Sequence, residues 1–411
     1  MSFLIRNSVL PMLLLSLSLS ASSAEGDNWQ HRDHVLTLNH DHLLGDWGGH
    51  RSVLEEWGIE YELVYTGEFF GSLSGGLEEG NDYLGALSFM MGLDTEQAGL
   101  WAGGEFFLHV QSIHGKGITE RYVGDFQSVS NFDAHDFVQI SDFWYKHHFM
   151  EDRLWVKVGK MEANDDFAFV DYGVEFIHSS PGLIPTIPLP TFPDQDWGVV
   201  VGYDTQDWFS MNVGVFQGDP NGDRSLSQTF DSLVGPMVMA EPAFHYDLFA
   251  LPGHFRVGAW WNGVNGEQFD RHAANPPLYQ DRYGFYLTMD QMVWKENPQD
   301  EEDEQGVGVV GQYGFTPEDR GEATYYVGGG LQWTGALPSR DQDVWGVGVF
   351  QAGFSEDAGF VDSAETVVEV FYKYQALGWM TLKPDFQYII DPGGMGNGDA
   401  VAVGLRWEMV F

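Results

Sequence analysis

The chain has 411 residues, a formal net charge of -42, no Cys, 51 Gly and 15% aromatic residues. Such acidity repels phosphate and excludes a nucleic-acid binder, and the missing thiols exclude disulfide scaffolds and Cys-ligated metal centres. With 43% hydrophobic residues the chain can fold, and its Gly and aromatic content points to many strands joined by turns.

In chain order, Arg6 heads an apolar run from Val9 to Leu19, and Ser22-Ser23-Ala24 offers small residues for cleavage. This predicts a secretory signal peptide over residues 1–24 and export of the chain from Glu25 onward. The run is too short to span a bilayer as a helix, and no later segment holds about 18 consecutive apolar residues. Any membrane insertion must therefore use strands. Residues 25–57 carry His31, His34, His40, His42 and His50. Their loose spacing in a segment with acidic neighbours predicts no specific metal site. His50 to Trp57 reads as a short helix with Val53, Leu54 and Trp57 on one side and Gly58 as its stop.

From Gly58 the period becomes two. Ile59, Tyr61, Leu63 and Tyr65 alternate with Glu60, Glu62, Val64 and Thr66. At the far end Val401, Val403, Leu405, Trp407, Met409 and Phe411 form one row against Ala402, Gly404, Arg406, Glu408 and Val410. Such amphipathic runs reach the 9–11 residues that a lipid-facing strand needs. Sixteen segments of this kind fall near 59–70, 82–94, 101–113, 137–149, 153–161, 197–204, 208–217, 236–247, 253–262, 283–294, 306–315, 323–334, 343–354, 365–375, 380–390 and 400–411. Connections after even-numbered strands are mostly short and those after odd-numbered strands mostly long, with Lys295 to Gln305 as an acidic exception. The pattern predicts an all-β, up-and-down transmembrane barrel of about 16 antiparallel strands over 58–411, with short periplasmic turns and long outer loops. Residues 25–57 would then place the helix at the periplasmic mouth, as a partial plug or as a tether along the wall.

The residues also carry a family likeness. Leu44 to Arg51 (LGDWGGHR), Gly159 to Phe167 (GKMEANDDF), Tyr286 to Trp294 (YLTMDQMVW), Pro317 to Arg320, Leu331 to Asp343, Glu365 to Glu369 and Leu382 to Gly394 are similar to segments of the OprB-type carbohydrate-selective porins. The resemblance spans about residue 43 to the end. It implies a 16-stranded barrel in the outer membrane of a Gram-negative bacterium that passes small sugars into the periplasm by diffusion. It leaves the sugar open.

A pore needs a constriction and polar groups that replace solute hydration. The inward strand rows offer Glu60, Glu62, Glu68, Glu105, His109, Gln111, Lys157, Glu369, Lys373, Arg406 and Glu408 as candidate pore-lining residues. The connection Glu162 to Asp196, 35 residues long, is the sharpest site candidate, because a loop of this length can fold inward. Glu162, Asn164, Asp165 and Asp166 would meet Lys160 at its entrance, and Pro185, Pro188, Pro190 and Pro193 would stiffen its return. The aromatics are expected to face lipid and band its two interfaces, while acids line the lumen and outer loops. The run Glu296 to Glu304 reads as a solvated turn, because its acids lack the alternating spacing of a calcium loop.

No G-x-S-x-G, H-E-x-x-H or Walker pattern marks an enzyme, and neither a cofactor nor a resident metal is expected. The expected partners are small carbohydrates, outer-membrane lipid and lipopolysaccharide, and the barrel-assembly machinery through the terminal Phe411. The chain would act as a monomer or homotrimer. The competing reading is a general, cation-preferring pore with an acidic lumen.

Overall fold

The computed structural model describes residues 41–205, 208–219, 224, 226, 235–269, 277–300 and 303–411. The expected signal peptide and His31, His34 and His40 lie outside them, as do Glu301 and Glu302 of the acidic run. Helix α1 spans His50–Glu56. The strands are β1 (Ile59–Gly76), β2 (Gly80–Asp94), β3 (Gly104–Gly115), β4 (Phe137–Phe149), β5 (Leu154–Met161), β6 (Asp196–Asp204), β7 (Phe209–Gln217), β8 (Pro236–Leu248) and β9 (Leu251–Asn262). After the two-residue strands β10 (Gly266–Glu267) and β11 (Leu278–Tyr279) come β12 (Arg282–Lys295), β13 (Gly306–Phe315) and β14 (Ala323–Thr334). The last are β15 (Val344–Phe354), β16 (Ala364–Leu377), β17 (Met380–Ile390) and β18 (Gly398–Val410). All but β10 and β11, which pair only with each other, close into one antiparallel barrel of sixteen strands. Closure runs from the Val64–Val410 pair to the Gly76–Gly398 pair.

Each of the sixteen expected segments is a barrel strand, and the differences lie at their ends. β1 continues past residue 70 because Ser72, Ser74 and Gly76 still pair with β18 across two register shifts. These small residues carry no apolar alternation, so the sequence gives no sign of the extension. The β8–β9 connection shrinks to Phe249-Ala250, with φ of 56° and 62° at its two residues. Positive φ at both positions is what a two-residue hairpin needs, and the chain reaches it without the Asn or Gly that would signal it.

Polarity is inverted relative to a soluble protein. Phe69 is 49% exposed, and Leu87, Phe143, Val158, Val199, Phe285 and Leu405 are likewise exposed on the outer face, whereas Arg406 is fully buried. A continuous apolar exterior of this kind is suited to lipid. Among the described residues no helix is long and apolar enough to cross a membrane.

The aromatics are not confined to the outside as expected. Phe216, Trp260, Tyr286, Tyr326, Phe350 and Phe371 point inward and pack on Phe167, Phe176, Ile184 and Ile187. These last four belong to the connection between β5 and β6, residues 162–195. A second inward connection, residues 116–136, packs Ile118, Tyr122 and Val129 on Phe70, Val367 and Ile389. A barrel this wide would otherwise hold only water, so these clusters act as an internal core that supports the loops.

α1 is fastened to the rim by Arg51. Its guanidinium donates to the Tyr61 carbonyl at 3.0 Å and to the Phe411 carbonyl at 2.9 Å, and lies 4.5 Å above the Tyr61 ring. Val53 and Trp57 stay exposed, so the apolar side of the helix does not pack on the barrel. Arg51→Ala should cost about 1–3 kcal/mol by removing two charge-assisted hydrogen bonds at the seam. The check is the temperature at which the folded band converts to the unfolded one on a semi-native gel, which should fall.

Candidate functional site

The loop 162–195 leaves the wall between β5 and β6 yet touches β8, β9, β12, β16 and β17, so it must cross the lumen. Its backbone amides have little water there, and wall carboxylates take its place. Glu241 accepts from the Ala168 N–H at 2.7 Å and from the Tyr286 hydroxyl at 2.7 Å. Asp290 accepts from the Tyr172 N–H at 3.1 Å. Glu369 accepts from the Ile177 and His178 N–H groups at 2.6 and 3.1 Å. Glu365 does the same for the second loop, taking the Phe126 and Gln127 N–H groups at 2.7 and 3.0 Å.

Ion pairs complete the seat. Lys157 pairs with Asp166. Glu175 lies 2.6 Å from Lys373 Nζ and 2.8 Å from Lys383 Nζ. Burial works against the Glu175 charge, but the two ammonium groups outweigh it and hold the carboxyl down at about 2. His178 is wholly buried and stacks on Phe350 at 5.6 Å; burial pushes its ring down to about 3, so it sits there neutral.

Asp171, His254 and Asp290 bring ligand atoms within 4.8 Å of one another, the one such group among the described residues. Arg256 lies 2.7 Å from Asp290 and 3.5 Å from Asp171, so a fixed cation already balances these acids. The arrangement is a loop anchor rather than a metal centre.

Open space lies on the opposite side. A cavity of about 210 Å³ separates the loop from the wall of β1, β2, β3 and β18. Val64, Thr66, Ser88, Met90, His109, Gln111 and Glu408 line its wall side; Glu162, Asn164, Asp165, Phe169 and Phe176 line its loop side. Asn131 and Phe132 of the second loop complete it. The site thus alternates amides and carboxylates with ring faces. Those groups match hydroxyls on one side of a small solute and apolar C–H faces on the other.

Six residues named from sequence meet at this cavity: His109, Gln111, Glu162, Asn164, Asp165 and Glu408. Others lie elsewhere. Lys157, Asp166 and Glu369 seat the loop. Arg406 pairs with Glu68 at 2.9 Å and reaches Ser130 and Asn131 at 3.1 and 2.9 Å, tying the second loop to the wall. Glu60 and Glu62 stand near α1, with Glu62 4.0 Å from His42. Glu105 faces His148 at 3.1 Å near the β4–β5 turn. Lys160 is buried on β5, and the base that meets Asp166 is Lys157.

Sequence reasoning missed Glu175, Asp171, Glu241, Asp290 and Arg256, which do much of the anchoring. Four of these five are acids among 61, and no spacing rule picks them out. The second inward loop was also missed; Arg406 beside it was the available signal. The acidic turn between β12 and β13 is self-contained: Asp303 accepts from the Asn297 side chain at 2.7 Å and from the Gln305 N–H at 2.9 Å.

Burial and the neighbouring Asp142 charge push Glu162 well above the ordinary carboxylate range; burial and Glu162 do the same to Asp165. A raised pKa means these groups lose their charge early as pH falls. Any cation preference should therefore weaken between about pH 8 and about pH 6, before ordinary carboxylates protonate. Reversal potentials in a salt gradient at both pH values test this; an unchanged potential would contradict it.

The family model described as carbohydrate-selective porin, OprB family, matches residues 78–411. Porin B of Pseudomonas aeruginosa is 23% identical, covering 93% of this chain and 94% of that protein. The putative porin QuiX of Acinetobacter baylyi is 22% identical, covering 90% and 93%. The high-pH structure of Pseudomonas putida OprB superposes with a TM-score of 0.83 at 21% identity, covering 92% of this chain and all of that one.

Proposed function

Because the chain belongs to the OprB family of carbohydrate-selective porins, an outer-membrane family of pores and not of enzymes, we propose that its sugars are selected in the gap between loop 162–195 and the wall of β1, β2, β3 and β18. The observation that carries this is the loop's seat: anchored to β8, β9, β12, β16 and β17, it leaves a gap for solute against the opposite wall. His109, Gln111, Asn131 and Asn164 exchange hydrogen bonds with hydroxyls, and Phe169 and Phe176 offer ring faces. Glu60, Glu62 and Glu105 form an acidic vestibule at the short-turn end, which is the periplasmic mouth in this reading. α1 serves there as a tether through Arg51. The signal peptide directs export, Phe411 is read by the assembly machinery, lipopolysaccharide contacts the outer rim, and the protein works as a monomer or homotrimer.

Reconstitution in liposomes tests the reading. Neutral monosaccharides should enter faster than amino acids of matched size; equal rates for both would contradict selection in the gap. A second reading, a general cation-preferring pore, is favoured by the net charge of -42 and by Glu162 and Asp165 in the passage. In that case small cations would outpace sugars of similar size.

A further inference from the structure

One corner of the passage is more specific than a neutral sugar requires. Asp142 of β4, buried and on the wall, links two cavity residues. Its Oδ2 lies 3.2 Å from His109 Nδ1, and its Oδ1 accepts from the Glu162 N–H at 3.0 Å. A carboxylate can only accept, so His109 carries a proton on Nδ1, and in the neutral ring Nε2 is then an acceptor. That Nε2 has no protein partner although His109 is only 4% exposed. Asp165 lines the same cavity, and its Oδ2 is also buried without a hydrogen-bond partner. Lys157 is committed to Asp166 and the Glu162 carboxylate to the Gln195 amide at 2.5 Å.

The corner therefore presents acceptors in excess of donors: an imidazole nitrogen and carboxylates. A buried unpaired acceptor is costly, and two on residues that line one cavity favour a donor with several protons. These groups are not drawn together as tightly as Asp171, His254 and Asp290, so they suit a ligand larger than a bare metal ion. An ammonium group has three donors and a positive charge. Phe169 and Phe176 line the same cavity and supply apolar faces for the ring that would carry it.

We propose that the recess of His109, Glu162, Asn164 and Asp165 prefers sugars bearing a protonated amine, hexosamines over neutral hexoses. This rests on the gap being the sugar path. The ammonium donates to His109 Nε2 and Asp165 Oδ2 and relieves the mutual repulsion of Asp142, Glu162 and Asp165.

The test uses the purified full-length protein in planar bilayers and liposomes. The probes are glucosamine, glucose, N-acetylglucosamine, a non-sugar organic ammonium of similar size and a size-matched amino acid. Glucosamine should bind, seen as current block, about tenfold more tightly than glucose, the factor one charge-assisted hydrogen bond supplies. N-acetylglucosamine, which has lost the charge, should behave like glucose. Asp165→Asn and His109→Phe should each bring the glucosamine-to-glucose ratio towards one. Equal block by glucosamine and glucose in the wild-type pore would overturn the proposal. Equal block by the non-sugar ammonium would overturn it too, by reducing it to charge alone. The wild-type comparison stands even if a variant fails to assemble. If glucose and the amino acid pass equally, the sugar path itself has failed, a result distinct from either of these.

Discussion

Deleting Val170 to Phe192 should raise single-channel conductance severalfold and abolish discrimination between solutes of matched size. The segment holds Asp171, Glu175 and His178, and with them the anchors on Arg256, Lys373 and Glu369. Without it nothing crosses the lumen on that side, and a sixteen-stranded barrel keeps an open aqueous channel. The wall should survive, because its strand ladders do not depend on the loop and the exposed Lys373, Lys383 and Arg256 regain water. A heat-dependent gel shift confirms the barrel, and bilayer recording gives the conductance. An assembled variant with wild-type conductance would show that the loop does not limit the pore.

Glu175→Ala should be the most damaging single substitution in the loop. It removes the carboxylate that pairs directly with the Lys373 and Lys383 ammonium groups, which stay buried side by side. Breaking a buried pair in this way costs about 3–5 kcal/mol. The barrel ladders hold the wall, so the loss falls on loop seating. The expected result is a pore that flickers between the wild-type level and a larger one, with the loop newly open to protease. Adding Lys383→Met should quieten the trace by removing one stranded charge. A quiet wild-type trace from Glu175→Ala alone would mean that the ion pairs do not hold the loop.

The barrel was legible in the sequence because lipid on one side and water or protein on the other impose a strict period of two. The row Val403, Leu405, Trp407 and Met409 against Arg406 and Glu408 could hardly be read otherwise. Strand ends were less legible. Ser72 to Gly76 and Phe249-Ala250 lack the usual signs of continuation or turning, and pairing across the ladder decides them.

The site was legible in part. The length of the β5–β6 connection pointed to it, and alternation placed His109 and Glu408 on the lumen side. What the sequence could not show is which lumen charges stay free for solute. Glu369 and Arg406 read like His109 from alternation alone, yet each is taken up by a loop. That depends on where two loops land on a distant wall, which no local pattern encodes. It also explains the inward aromatics: Phe350 and Phe371 sit on strands that alternate like the rest, but the surface they meet is Phe176 rather than water.

The acidity takes on a different sense inside this arrangement. Glu241, Asp290, Glu365 and Glu369 substitute for water at loop amides, so part of the acidic excess is structural. Glu162 and Asp165 stand apart, because they line the cavity instead.

The seat of the loop predicts that solute passes between the loop and the β1–β3 wall. Because the natural chain has no Cys, single cysteines report on it cleanly. Ser88 lines the proposed path, whereas Gln312 lies under the loop and donates to the Pro181 carbonyl at 3.0 Å. A small cationic thiol reagent should modify Ser88→Cys quickly, cut the conductance, and be slowed by added sugar, while Gln312→Cys should react slowly and without effect on the current. Fast, sugar-protected modification at Gln312→Cys with an inert Ser88→Cys would place the path on the other side of the loop and contradict the account.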